Sequence, residues 1–199
     1  YRLNIQTGEM TQLASNDDPQ EPIDTWQTDH DGKLRIASKV VGGTNTTLLY
    51  RDNETEDFRE VITTDFRESI SPLFVDFDSP HIVFASSNIG RDKAVITRFD
   101  MSTGKEVGDP LFGHSEVDVE SLNYSRKRKV LTSISYTTDT RHLHFLDDQT
   151  EKTYREIKKQ LGDYEVVFTS YNRDETKFMI RTYSDRSLGA YYIYDTESE

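Results

Sequence analysis

Residues 24–63, DTWQTDHDGKLRIASKVVGGTNTTLLYRDNETEDFREVIT, carry a pattern that the later sequence repeats. Stepping from Leu34 by 48 residues gives Ile82, Val130 and Phe178, and the next positions run Arg35/Val83/Leu131/Met179 and Ile36/Phe84/Thr132/Ile180. A second anchor follows the same rhythm. Asp52 recurs as Asp100, Asp147 and Asp195, with Asn4 one step earlier, so the offsets are 48, 48, 47 and 48. A fixed period between about 20 and 50 residues marks a solenoid, a propeller or an array of modules.

The content of one repeat decides among these. KLRIASKVV is a β-branched and aliphatic run, TLLYRD sets Leu48 and Tyr50 against Leu49 and Arg51, and DFREVI alternates again. All three have strand length, and none carries a helical stripe. Polar turn segments at 29–32, 41–45 and 53–56 separate them. Four short strands in a repeat of about 40–50 residues describe a propeller blade. The expected fold is therefore all-β, a partial β-propeller of about four blades, each a four-stranded antiparallel sheet.

Residues 1–13 are expected to close a preceding blade, and three full blades follow at 24–63, 69–112 and 117–157. An incomplete blade occupies 164–199. KTYREI is expected as the fourth strand of the 117–157 blade on register, although TEKTYREIKKQLG also admits a short helix. Seventeen expected strands exceed the sixteen of a closed four-bladed ring, which points to an arc of a larger ring, with a four-bladed ring carrying a frayed end strand as the alternative. Its open edges would tend to pair with a neighbouring molecule. The sequence opens at Tyr1 within a strand pattern, as a piece of a longer protein would.

Composition narrows the partners. The chain has 24 basic and 36 acidic residues, a net charge of −12, which disfavours nucleic acid and anionic membranes. It has no Cys, so disulfides and thiolate chemistry are excluded. No apolar run approaches the ~18 residues of a membrane span, and the expectation is a soluble protein, cytoplasmic or periplasmic. The recurring Asp-x-x-Thr is a turn device, because a short carboxylate accepts backbone N–H groups two or three residues on.

The last repeats carry a resemblance. Tyr-Asn-Arg-Asp-Glu-Thr-Lys-Phe (171–178), Ser-Asp-Arg (184–186) and Tyr-Tyr-Ile-Tyr-Asp (191–195) resemble the closing propeller blades of prolyl-oligopeptidase-family serine peptidases, including the dipeptidyl-peptidase and acylaminoacyl-peptidase branches. The Asp-x-x-Thr-Gly hairpins and aspartate-bearing turns extend the likeness along the chain. The resemblance implies a non-catalytic propeller that gates and orients peptide substrates for an α/β-hydrolase domain outside this sequence. No Gly-x-Ser-x-Gly elbow occurs here, and Gly113-His114-Ser115-Glu116 lacks the closing Gly. The paired glutamates of the dipeptidyl branch have no Glu-Glu counterpart either. A TolB-like or WD-repeat interaction scaffold with no enzyme attached is the alternative.

Other chemistry is sparse. His142 and His144 share one side of a strand without an acidic companion, and 29–32 lacks the later ligands of a calcium loop, so neither a metal nor a cofactor is expected. Asn45, Asn53 and Asn123 begin glycosylation sequons, and 126–129 is a basic hairpin tip. In a propeller the loops between second and third strands gather on one face. Those loops carry Arg91, Lys93, Arg141 and Arg186, the candidate contacts for a peptide carboxylate or a hydrolase domain.

Overall fold

A computed structural model describes residues 1–198, apart from the side chain of Glu120. The chain is mostly β, a succession of antiparallel sheets in which consecutive strands pair as meanders. It divides into two compact units, Tyr1–Glu120 and Ser121–Glu199.

In the first unit β1 (Arg2–Leu3) pairs antiparallel with β2 (Met10–Thr11) across the Asn4 turn. The next sheet contains β3 (Ile23–Thr28), β4 (Leu34–Val41), β5 (Asn45–Tyr50) and β6 (Arg59–Thr64) in sequence order. A second four-stranded sheet contains β7 (Ile70–Val75), β8 (Ile82–Ser87), β9 (Val95–Asp100) and β10 (Lys105–Glu106). Their shared core holds Ile36, Leu48, Tyr50, Val75, Val83 and Phe99. Both sides of β5 are covered, since Leu48, Leu49, Tyr50 and Arg51 are all buried. Burying Arg51 is tolerable because its guanidinium donates to the carbonyls of Leu34 and Leu13 at 3.0 and 3.3 Å and lies over the Phe58 ring at 4.5 Å. Polar side chains join the two sheets: Gln27 donates to the Leu73 carbonyl at 2.7 Å, the Tyr50 hydroxyl to that of Pro80 at 3.2 Å, and Arg59 to that of Met101 at 3.0 Å.

Beyond it, β11 (Val119–Ser125), β12 (Val130–Thr137) and β13 (Arg141–Phe145) form a three-stranded sheet. β14 (Glu165–Tyr171), β15 (Lys177–Tyr183) and β16 (Tyr191–Asp195) form another. The spacing of the repeat is thereby explained. Leu34, Ile82 and Val130 are the first residues of β4, β8 and β12, and Phe178 is the second residue of β15. The carboxylate anchor is also structural. Asp100 accepts the Ser102 N–H at 2.7 Å, Asp195 that of Glu197 at 3.0 Å, and Asn4 that of Gln6 at 3.0 Å. At Asp52 the task moves one residue on, to Asn53, which accepts the Thr55 N–H at 3.0 Å.

One expectation is corrected. The segment containing KTYREI is not a fourth strand but part of a helix, α1 (Asp148–Leu161). In a strand Tyr154 and Ile157 would fall on opposite faces, whereas in a helix they share one stripe with Leu161. Around them stand Glu, Lys, Arg and Gln, which favour helix over sheet. Asp147 caps the first turn, Glu151 and Arg155 pair at 2.5 Å one turn apart, and Gly162 at φ 74° donates its N–H to the Lys158 carbonyl at 3.0 Å to end it. The strand count accordingly falls from seventeen to sixteen among the described residues.

Candidate functional site

The second unit contains a cleft of about 830 Å³ between the β11–β13 and β14–β16 sheets, with α1 beside it. Its origin is the helix. Tyr154, Ile157 and Leu161 pack on the neighbouring sheet, against Val166, Phe168 and Ile180, and so occupy space that a fourth strand would leave to direct sheet stacking.

The two walls differ in chemistry. From β11 and β12 come Ser121, Asn123, Ser133 and Ser135, and the Asn123 amide donates to the Ser133 hydroxyl at 3.3 Å. Beside Ser133, its cross-strand partner Phe145 begins a chain of tilted rings that crosses to the opposite wall: Phe145 to Tyr154 at 5.4 Å, Tyr154 to Phe168 at 6.3 Å, Phe168 to Phe178 at 5.3 Å and Phe178 to Tyr171 at 6.1 Å. Burial pushes the Tyr154 and Tyr171 hydroxyls above their ordinary pKa. Tyr171 is nevertheless half exposed, so this ring row reaches the surface.

One end of the cleft is laced shut. Glu175, held at φ 52°, accepts from the Ser125 hydroxyl and from the Lys127 N–H at 3.1 Å, while the Lys127 ammonium donates to the Asp174 carbonyl at 2.8 Å. Arg128 is occupied by Asp147. Two further cations line the cleft: Lys152 of α1, 3.8 Å from Glu156, and Arg141, the first residue of β13. Arg141 makes one long hydrogen bond, Nη1 to the Val166 carbonyl at 3.5 Å, and among the described residues it has no ion pair.

The four cations expected to face a ligand therefore stand in different circumstances. Arg91 is committed, with Nη1 and Nη2 on the Glu106 carboxylate at 2.8 and 2.5 Å, and Arg91 in turn holds that carboxyl below its usual pKa. Lys93 lies 3.5 Å from Asp92 in the same loop. Arg186 is exposed beside Asp185 at 3.8 Å. Of the four, Arg141 alone lines the cleft. His142 stacks on Tyr136 at 5.2 Å and meets the Thr138 hydroxyl at 2.8 Å. Among the described residues no group of three His, Asp or Glu side chains is placed to hold a metal ion. Among them also, no helix is long and apolar enough to cross a membrane.

The sequence reading missed the serine and aromatic walls. The available signal was the Tyr154, Ile157, Leu161 spacing, which announces a helix with an apolar face and hence an interruption in the stacking of sheets. No protein-family model matches the chain, and no curated protein matches its sequence.

Proposed function

We propose that the chain is a section of a β-propeller, catalytically inert by itself, that gates and orients peptides for the α/β-hydrolase domain of a prolyl-oligopeptidase-family serine peptidase. The observation that carries the propeller reading is the equivalence of Leu34, Ile82, Val130 and Phe178. Each stands at the first or second residue of the second strand of an antiparallel meander, at a constant spacing of 48, as one blade follows another in a propeller. The family part rests on the resemblance of residues 171–195. A cleft with aromatic and polar walls and a guanidinium that has no ion pair among the described residues suits peptides better than nucleic acid, whose phosphates the net charge of −12 would repel.

The test is direct. The coding sequence beyond Glu199 is expected to encode Gly-x-Ser-x-Gly within about 250 residues, one domain length. The full-length protein is expected to be labelled by a fluorophosphonate at that serine. A coding sequence without the elbow, and a full-length protein that resists the label, would end the peptidase reading.

A further inference from the structure

We infer that the cleft of the second unit binds the C-terminus of a peptide ending in an aromatic residue, the terminal carboxylate on Arg141 and the aromatic side chain among Tyr154, Phe168 and Phe178. Three observations lead there. The first is charge. Arg141 lines the cleft with a guanidinium that offers five donors and uses one, at 3.5 Å, beyond the range of a good hydrogen bond. A planar fork of this kind is matched by a carboxylate, which it can hold bidentately.

The second is the form of the aromatic wall. Tyr154, Phe168 and Phe178 meet at interplanar angles of 59° and 63°. Tilted rings make edge-to-face contacts with an inserted ring and provide no flat platform for a sugar. A neutral saccharide would also leave the Arg141 charge uncompensated. The third is room. At about 830 Å³ the cleft lies in the upper part of the range for small-molecule sites. Ser121 and Ser135 line the wall opposite the rings, where hydroxyls can pair with backbone amides preceding the terminal residue. Capture of a C-terminal carboxylate is an established mode of peptide recognition.

The inference stands on the cleft alone. A coding sequence with no hydrolase would remove the peptidase reading and leave this binding untouched.

The experiment is calorimetric titration of the full chain with Ala-Ala-Phe, its C-terminal amide, Ala-Ala-Ala and free phenylalanine. Ala-Ala-Phe is expected to bind at least about tenfold more tightly than each of the others, the loss expected when a charge-assisted or apolar contact is removed. Arg141→Ala is expected to erase the preference for acid over amide, and Arg141→Lys to retain part of it. Arg155→Ala, on the outer face of α1, should change nothing. Melting curves of each variant guard against misfolding. Equal binding of acid and amide overturns the inference, as does free phenylalanine matching the tripeptide. Unchanged binding in a folded Arg141→Ala protein, or no binding at millimolar peptide, overturns it equally.

Discussion

Arg128 grips Asp147 through two parallel hydrogen bonds, Nη1 to Oδ1 at 2.8 Å and Nη2 to Oδ2 at 2.7 Å, and the same carboxylate accepts the Thr150 N–H at 2.8 Å as the cap of α1. One side chain thus ties the β11–β12 turn to the start of the helix that opens the cleft. The Arg128 guanidinium, followed by the Thr150 bonds, holds the Asp147 carboxyl well below the usual carboxylate range. A depressed folded-state pKa gives stabilisation that is complete above the unfolded value of about 4 and fades as the pH falls further. Asn at 147 keeps a capping oxygen and loses the ion pair, while Ala loses both. Urea unfolding at pH 7 is expected to show Asp147→Ala about 1 kcal/mol less stable than Asp147→Asn. The advantage of wild type over Asp147→Asn should shrink between about pH 4 and pH 2. An advantage unchanged over that window would mean the pair adds nothing.

Tyr50 provides the alkaline counterpart. Its side chain is fully buried, and burial, reinforced by Asp52, pushes the hydroxyl up to about 12. The folded value is raised, so its stabilisation is intact below the unfolded pKa of about 10 and is lost as the pH rises from there through about 12. Tyr50→Phe removes that dependence and costs about 1 kcal/mol at pH 7 for the lost bond to Pro80. Chemical denaturation between pH 8 and pH 12 should show wild type losing stability faster than the variant. Parallel curves would contradict the assignment.

Two glycines with similar backbone angles should respond differently to alanine. Gly90 (φ 67°) has open space where a Cβ would stand, so Gly90→Ala pays only the left-handed penalty of about 1–2 kcal/mol. At Gly189 (φ 76°) a Cβ would run into the Thr182 carbonyl, on a backbone already fixed by the Thr182 N–H to Ala190 carbonyl bond at 2.9 Å. Gly189→Ala is expected to be clearly the worse of the two in thermal melts. Equal melting shifts would mean that the β15–β16 loop rebuilds freely.

The register of β15 is open to a simple comparison. Ile180 is buried with Ile157 and Val166, and Ile180→Ala should cost about 2–5 kcal/mol. Phe178, half-buried against Phe168, should cost less than the ~3–5 kcal/mol of a fully enclosed ring. Arg186→Ala, in an exposed loop, should stay within about 0.5 kcal/mol. Equilibrium unfolding that gave the three variants the same stability would place the strand wrongly.

The strand skeleton was legible because its signals are local. Leu34, Ile82, Val130 and Phe178 each follow a turn within a few residues, and the carboxylates of Asp100 and Asp147 act on amides two and three positions away. The helix conflicts with the register, which sets KTYREI where a fourth strand belongs, and its local signal is the three- and four-residue spacing of Tyr154, Ile157 and Leu161. The cleft was illegible for a different reason. Its lacing joins Lys127 to Glu175, 48 residues apart, and its walls face each other across two sheets, so no window of sequence contains both partners. Arg141 could be placed in a loop family from the sequence, but its lack of an ionic companion among the described residues is a property of the folded neighbourhood.

The Asp-x-x-Thr turn launches a strand at Asp100 and a helix at Asp147, so it marks a junction without dictating the cargo that follows. The stretch between Asp147 and Gly162 is consequently a natural cassette for protein engineering. Its contents differ from the short strand that follows Asp100, yet Asp195 comes 48 residues after Asp147, the same step that separates Asp52 from Asp100, so the downstream module keeps its beat.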